Sequence, residues 1–247
     1  MRILLTNDDG FDSEGLQAVA DLFKDGHDVT VVAPDNQKSA ASHSITLPPR
    51  VLPYREIAGR DYKTYAVDGS PADCVKVAMT LLCKSPDLVI SGINRGENLG
   101  SDIWYSGTVS AAAEAAYYGL RAIALSLNNK HADYQQYMRC ARFVKKNLTA
   151  LTAMDISPRT MLNINFPNAE PKGVKFVRMN TQRTFIDDYK YIDQTTIDPT
   201  GDRSYCDLDG ETDEGYCLDG YITVTPLKLD RTDYVALDSI AGAKLEL

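Results

Sequence analysis

Apolar positions along this chain follow two rhythms, and the two alternate. Short unbroken apolar runs, such as Arg2-Ile3-Leu4-Leu5-Thr6 and Asp28-Val29-Thr30-Val31-Val32-Ala33, have the form of strands buried on both faces. Between them lie stretches with helical spacing. Leu16, Val19, Ala20, Leu22 and Phe23 fall on or near one side of a helix that Gly26 would end. Pro34 closes the second strand, and residues 35–63 follow as a loop-rich stretch with weak strand patterns. A short strand is predicted at 64–67. Ser70-Pro71-Ala72-Asp73 then carries the marks of a helix start, with Ser70 as cap, Pro71 in the first position and Asp73 three residues past the cap. Cys74, Val77, Ala78 and Leu81 give that helix its inward stripe. The series continues with a strand at 87–90, an Ala-rich helix at 108–118, a strand at 121–127, a helix at 133–151 and a strand at 161–166.

Strand–helix alternation of this kind predicts an α/β fold, a Rossmann-like, mostly parallel sheet with helices on both faces. Ligands of such sheets bind beyond the carboxyl ends of the strands, so the residues just after each strand are where chemistry is expected. From about residue 167 the texture changes. Residues 174–179 and 221–225 read as strands. Between them, 183–219 is rich in Asp, Gly, Tyr and Thr, lacks helical periodicity, and is too long for a plain loop in a compact domain. It reads as a β-rich arm used in oligomer contacts, followed by a terminal helix at 234–247 that packs back on the core or on a partner. The division expected is a catalytic core over 1–170 and an extension over 171–247.

Composition narrows the partners. The chain has 247 residues, 26 Lys+Arg against 34 Asp+Glu and a net charge of −8. That mean field repels polyanions, which argues against a nucleic-acid polymer or an anionic membrane as partner, though not against a small phosphorylated ligand. No window approaches the roughly 18 uncharged apolar residues of a membrane span, and the first residues carry too short an apolar run for a secretory leader. Cys74, Cys83, Cys140, Cys206 and Cys217 are odd in number and form no CxxC pair. They read as reduced thiols of a cytoplasmic protein.

The first strand ends in Asn7-Asp8-Asp9-Gly10. Two adjacent carboxylates at the mouth of a buried strand repel one another unless a cation joins them; taken alone they could equally form a solvated turn. The second strand leads to Asp35 and then to Ser39-Ala40-Ala41-Ser42-His43-Ser44, hydroxyls that could cap backbone or serve as ligand and donors beside the first-strand acids. Ser42 and His43 are candidate substrate contacts there. The strand at 87–90 leads to Ser91-Gly92-Ile93-Asn94-Arg95-Gly96-Glu97-Asn98-Leu99-Gly100, and Tyr105-Ser106-Gly107-Thr108 enters the Ala-rich helix. Asn94 and Asn98 offer carboxamides. Ser106, Gly107 and Thr108 sit at a helix N-terminus, where free N–H groups favour an anion such as phosphate. The segment is neither a Walker A sequence nor G-x-G-x-x-G. Three strand ends thus supply two carboxylates, a hydroxyl and a carboxamide beside a phosphate cradle. An all-oxygen set selects a hard ion, Mg²⁺ or Mn²⁺ in preference to Zn²⁺. A metal beside an anion-binding helix end suits phosphoester hydrolysis, with Asp8 and Asp9 as the catalytic acids, one holding the cation and the other able to carry a proton.

These segments resemble the signature of the SurE stationary-phase survival proteins, a family of metal-dependent 5′-nucleotidases. The likeness is carried by Ile3-Leu4-Leu5-Thr6-Asn7-Asp8-Asp9-Gly10, Val32-Ala33-Pro34-Asp35 with Ser39 and Ser42-His43-Ser44, Gly69-Ser70-Pro71-Ala72-Asp73, Pro86 to Gly96 with Asn98-Leu99-Gly100, Tyr105-Ser106-Gly107-Thr108-Val109, Asn163-Ile164-Asn165-Phe166-Pro167, and Gly220 to Leu227. The resemblance implies a C-terminal arm exchanged between subunits in homo-dimers or homo-tetramers. It implies release of phosphate from nucleoside 5′-monophosphates, with 3′-nucleotides and polyphosphate as further substrates. It assigns one divalent cation per subunit to Asp8, Asp9, Ser39 and Asn94. The chain departs from the family at Phe11-Asp12-Ser13-Glu14, at Ala40, where glycine is common, and over most of 183–219 apart from Thr212-Asp213.

Two other classes share some of these features. A phospho-acceptor receiver domain also has an acid pair after strand one and a further acid, here Asp68, but is about half this length and has no use for the glycine-and-asparagine loop. A phosphatase with a covalent aspartyl intermediate usually wants Asp-x-Asp, whereas these acids are adjacent.

Overall fold

The computed structural model describes residues 1–83, 85–205 and 208–243. Its strands and helices, in chain order, are β1 (Arg2–Thr6), α1 (Glu14–Phe23), β2 (Asp28–Pro34), β3 (Tyr54–Glu56), β4 (Lys63–Val67), α2 (Pro71–Val77), β5 (Leu88–Arg95), α3 (Gly107–Tyr117), β6 (Arg121–Leu127), α4 (Tyr134–Ala153), β7 (Thr160–Phe166), β8 (Val174–Phe176), β9 (Phe185–Ile186), β10 (Tyr189–Tyr191), β11 (Ile197–Pro199), β12 (Asp202–Arg203), α5 (Asp213–Leu218), β13 (Ile222–Lys228) and α6 (Tyr234–Ile240). A π-helical turn, Ala78–Leu82, prolongs α2, and a 3-10 turn, Gly100–Trp104, precedes α3.

The main sheet has nine strands in the order β3-β4-β2-β1-β5-β6-β7-β13-β8. The run from β4 to β7 is parallel throughout. β3 is antiparallel on one edge, β13 runs antiparallel beside β7, and β8 lies parallel to β13. The expected α/β, mostly parallel architecture is therefore present, and the sheet continues through β13 and β8 into the C-terminal third of the chain.

Alternation along β1 explains the two cores. Ile3 and Leu5 pack with Leu16, Val19 and Phe23 of α1 and Tyr137 and Val144 of α4. Leu4, pointing the other way, packs with Cys74 and Val75 of α2 and with Val109 and Ala112 of α3. Each face of the sheet is thus sealed by a helix pair, as a parallel sheet requires. The expected start of α2 is realised in full: Asp73 N–H donates to Ser70 Oγ (3.1 Å) and Ser70 N–H to Asp73 Oδ2 (3.0 Å).

Three segments differ from expectation. β5 runs on to Arg95, because a register shift between Ser91 and Asn94 lets the chain pass its glycine and stay paired with β6. The stretch 183–219 contains α5, nucleated by Thr212, whose Oγ1 accepts from Gly215 N–H (3.3 Å); its Asp, Glu and Gly content hid it. The terminal helix stops at Ile240, and residues 244–247 of the expected element, like the expected thiol of Cys206, lie outside the described residues.

Candidate active site

In an open parallel sheet the crevice lies where the strand order reverses, and here that is between β1 and β5. β1 delivers Asn7, Asp8 and Asp9, and the adjoining end of β5 delivers Asn94 and Arg95. Asn7 locks the turn. Its Nδ2 donates to Gly10 O (2.9 Å) and Ser13 Oγ (2.6 Å), and its Oδ1 accepts Gly10 N–H. With the turn fixed, both carboxylates are held at the strand mouth.

Asp8 is buried against the start of α3. A Cβ placed on Gly107 would lie 2.8 Å from Asp8 Cβ and 3.0 Å from Asp8 Oδ2, so only glycine leaves this approach open. Thr108 donates its hydroxyl to Asp8 Oδ1 through a short hydrogen bond. Burial pushes the Asp8 carboxyl up to about 6; the Thr108 bond opposes the rise, and the neighbouring Asp9 charge adds to it. Asp9 is likewise raised, chiefly by burial, against the N–H of Arg95 that donates to its Oδ2 at 3.0 Å. Asn94 Nδ2 is tied to Gly96 O (2.9 Å), and backbone N–H groups of Thr108 and of Asp8 itself add to the Thr108 hydroxyl in holding the Asp8 carboxyl.

Asp8, Ser39, Asn94, Asn98 and Ser106 line one cleft of about 710 Å³. Asp9 lines an adjoining hollow of about 320 Å³ with Gln37 and Asp35, and Arg95 borders both. Gln37 Nε2 reaches Ser39 Oγ (2.8 Å) and, at 3.5 Å, Asp9 Oδ1. Ser106 caps α3 by accepting Val109 N–H (3.0 Å). Ser42 N–H donates to Tyr105 O (3.0 Å). His43 faces away from the acids. Its Nε2 pairs with Glu114 at 2.9 Å, and it borders a separate, largely apolar hollow.

Residues that carry the family likeness but were given no role of their own, Asn163, Asn165 and Asp213, hold this constellation. Asn98 is clamped from β7 and β6. Its carbonyl accepts from Asn163 (2.8 Å) and Asn165 (3.0 Å), its N–H donates to Asn165 Oδ1 (2.8 Å), and its Nδ2 donates to Ser126 Oγ (2.7 Å). The signal was available: two carboxamides flanking Ile164 in a fully buried strand need partners. Asp213 ties the same loop to the C-terminal segment by accepting N–H groups from Gly100 (3.1 Å) and Asn180 (2.7 Å).

The donors fit a hard cation. They are two carboxylates and the neutral oxygens of a hydroxyl and a carboxamide, the oxygen-only set that suits such an ion. Among the described residues no group of three or more His, Cys, Asp and Glu forms a metal site, so a cation here depends on the hydroxyl and carboxamide as well as the acids.

Residues 3–185 match the family model described as "Survival protein SurE". The chain is 39% identical over 257 residues to the 5′-nucleotidase SurE of Caldanaerobacter subterraneus subsp. tengcongensis, covering 99% of this chain and 98% of the relative. It is 41% identical over 246 residues to the 5′-nucleotidase SurE of Thermoanaerobacter pseudethanolicus, covering 95% and 94%. The crystal structure of the SurE protein from Aquifex aeolicus superposes with a TM-score of 0.81 at 37% identity, covering 97% of this chain and 98% of that one.

Proposed function

The chain belongs to the SurE family and is a metal-dependent nucleotide phosphomonoesterase; from that premise we propose that it hydrolyses nucleoside 5′-monophosphates to nucleoside and phosphate at the β1/β5 crevice, with Asp8, Asp9, Ser39 and Asn94 holding one Mg²⁺ or Mn²⁺ per subunit. The observation that carries the site assignment is the pair of adjacent carboxylates, both raised by burial, with Asp8 held against the start of α3. Such a pair is costly without a cation and well suited to one.

When bound, a divalent cation there supplies Lewis-acid polarisation of a phosphoryl oxygen and an acidified water. The chain's own residues do the rest. Thr108 holds Asp8 in place and favours its ionised form by donating to Oδ1. Asn98, fixed by Asn163 and Asn165, presents its carboxamide to the cleft. Ser106 and the first-turn N–H of Gly107 receive the phosphate oxygens at the positive end of α3, while Thr108 is turned to Asp8. Asp9 Oδ1, which among the described residues has only the 3.5 Å contact to Gln37, is the carboxylate oxygen placed to take the proton that water gives up. Ser42 shapes the rim through Tyr105, and His43, braced by Glu114, sits behind it.

The finer assignments belong to the same proposal. 3′-Nucleotides and polyphosphate are further substrates. No helix among the described residues is long and apolar enough to cross a membrane, and the four described cysteines are free thiols, which supports a cytoplasmic setting. Exposed Val235, Leu237 and Ile240 on α6, with Tyr191 and Ile192 on the arm, support a homo-dimer or homo-tetramer. Neither a receiver domain nor a covalent aspartyl phosphatase is favoured by any observation here.

The test is a phosphate-release panel over nucleoside monophosphates and polyphosphate with Mg²⁺, Mn²⁺ or chelator. Metal-dependent release from 5′-monophosphates is expected. Release that persists in chelator would remove the cation from the account.

A further inference from the structure

The acids and the α3 N-terminus account for the phosphate end of a nucleotide and leave the nucleoside end without a seat. The region the chemistry does not use is the arm. Its first ribbon pairs β9 with β12, antiparallel, with Arg203 directly opposite Phe185. Directly opposed residues share a face of a ribbon. Side chains of an extended chain alternate, so Arg183, Phe185 and Asp187 share that face as well. All of these line the same cleft as Asp8, Ser39 and Asn94. The Phe185 ring lies across Gly201, where a Cβ would meet Cε1 at 2.6 Å and Cζ at 2.8 Å, so the ribbon is cut to seat this ring. Trp104 and Tyr105 line the same cleft.

A ribbon of two ladder pairs has little stability of its own. A buried hydrogen bond, from the Thr184 hydroxyl to Glu214 Oε1 at 2.9 Å, and charge fix it. The Arg203 guanidinium pairs with Asp102 on the 3-10 turn and stands 3.5 Å from Glu97, on the loop after β5, and 3.4 Å from buried Glu214 on α5. Three carboxylates converge on one cation, and Glu97 and Asp102 are themselves cleft residues. Without the guanidinium they would repel one another, and the ribbon would lose its anchor to the rim. The cleft, at about 710 Å³, is of the size that takes an organic ligand, well beyond a lone phosphate.

We propose that the arm is the nucleoside-binding wall of the cleft: Phe185 offers the aromatic face on which the base stacks, and Arg203 is the positioning residue that latches this wall over the acids. The inference rests on the phosphomonoesterase reading and adds to it where substrate selectivity resides.

The experiment compares adenosine 5′-monophosphate with ribose 5-phosphate, which has the same scissile bond and no base, on the full chain with Mn²⁺. Phe185 is partly exposed, so Phe185→Ala leaves the fold intact. Its KM for the nucleotide should rise roughly tenfold, the scale of one lost base–aromatic stack, with kcat and the ribose 5-phosphate constants within about twofold. Arg203→Gln should show the same substrate split together with faster hydrogen exchange across residues 183–204, and Arg203→Lys should fall between. Equal loss on both substrates in Phe185→Ala, or no change on either, overturns the inference while leaving the hydrolase reading standing. A wild-type chain that releases phosphate from neither substrate defeats the parent reading instead.

Discussion

The floor of the cleft and the wall above it are built on opposite principles. The floor is made of side chains at the ends of buried parallel strands, each fixed by short-range bonds: Asn7 to its own turn, Asp8 to Thr108, and Asn98 to Asn163 and Asn165. The wall is a short ribbon whose Phe185 and Ile186 are exposed and whose anchors are one arginine among three carboxylates and the Thr184 hydroxyl on one of those carboxylates. The family model matches residues 3–185 and so reaches the first arm strand and no further. A rigid floor serves a bond-breaking step that every phosphomonoester shares. A loosely built wall suits the part of the substrate that differs between them.

Substitutions in the floor should therefore cost activity on every substrate alike, and the largest loss comes from the acids. Asp8→Asn or Asp9→Asn should remove turnover on nucleotide and ribose 5-phosphate together. The loss should exceed the roughly 10–100-fold typical of an outer partner, as steady-state phosphate release will show. Thr108→Val removes that outer partner. It should lower Mn²⁺ affinity or turnover by about 10–100-fold, again for both substrates. A loss confined to nucleotides in either variant would erase the distinction between floor and wall.

Burial, with a smaller share from the Asp9 charge, makes an ionised Asp8 costly to the fold, and the sign of that cost can be checked. The Asp8 carboxyl is raised from 3.8 to about 6. A folded-state pKa above the unfolded one means that ionising the group costs the native state. The cost is absent below about 3.8 and complete above about 6. In chelator at pH 7.5, Asp8→Asn should thus stabilise the fold by on the order of 2–3 kcal/mol, and the gain should fade as pH drops toward 4. Thermal melts across that range are the measurement. A destabilised variant at neutral pH would make Asp8 a structural residue.

The smallest effect concerns the loop that brings Ser39. Ala40 has φ of 55°, in the left-handed region that favours glycine, which gives a conformational reason for the glycine common there in the family. Ala40→Gly should raise stability by up to about 1 kcal/mol, partly offset by the freer unfolded chain. Denaturant titration would read it, and no change in KM for either substrate is expected.

How far the sequence disclosed this molecule follows the same division. Unbroken apolar runs gave β1, β2, β6 and β7 nearly to the residue, and the Ser70 box marked the start of α2, because those signals are local. The acid pair and the glycine-and-asparagine loop were visible as strand-end chemistry. That Thr108 serves Asp8, and not the cleft directly, depends on α3 lying over β1, a contact between positions 100 residues apart. Placing His43 against Glu114 depends on a contact 71 residues away. The arm was opaque because nothing in its composition shows that Arg203 stands opposite Phe185 or that three distant acids meet there.

The most direct measurement is anomalous diffraction from crystals soaked in manganese. The account expects one peak per chain, bounded by the oxygens of Asp8, Asp9, Ser39 and Asn94 and absent from the Asp9→Asn variant. A catalytically active crystal with no peak among those oxygens, or with its only peak elsewhere, would contradict it.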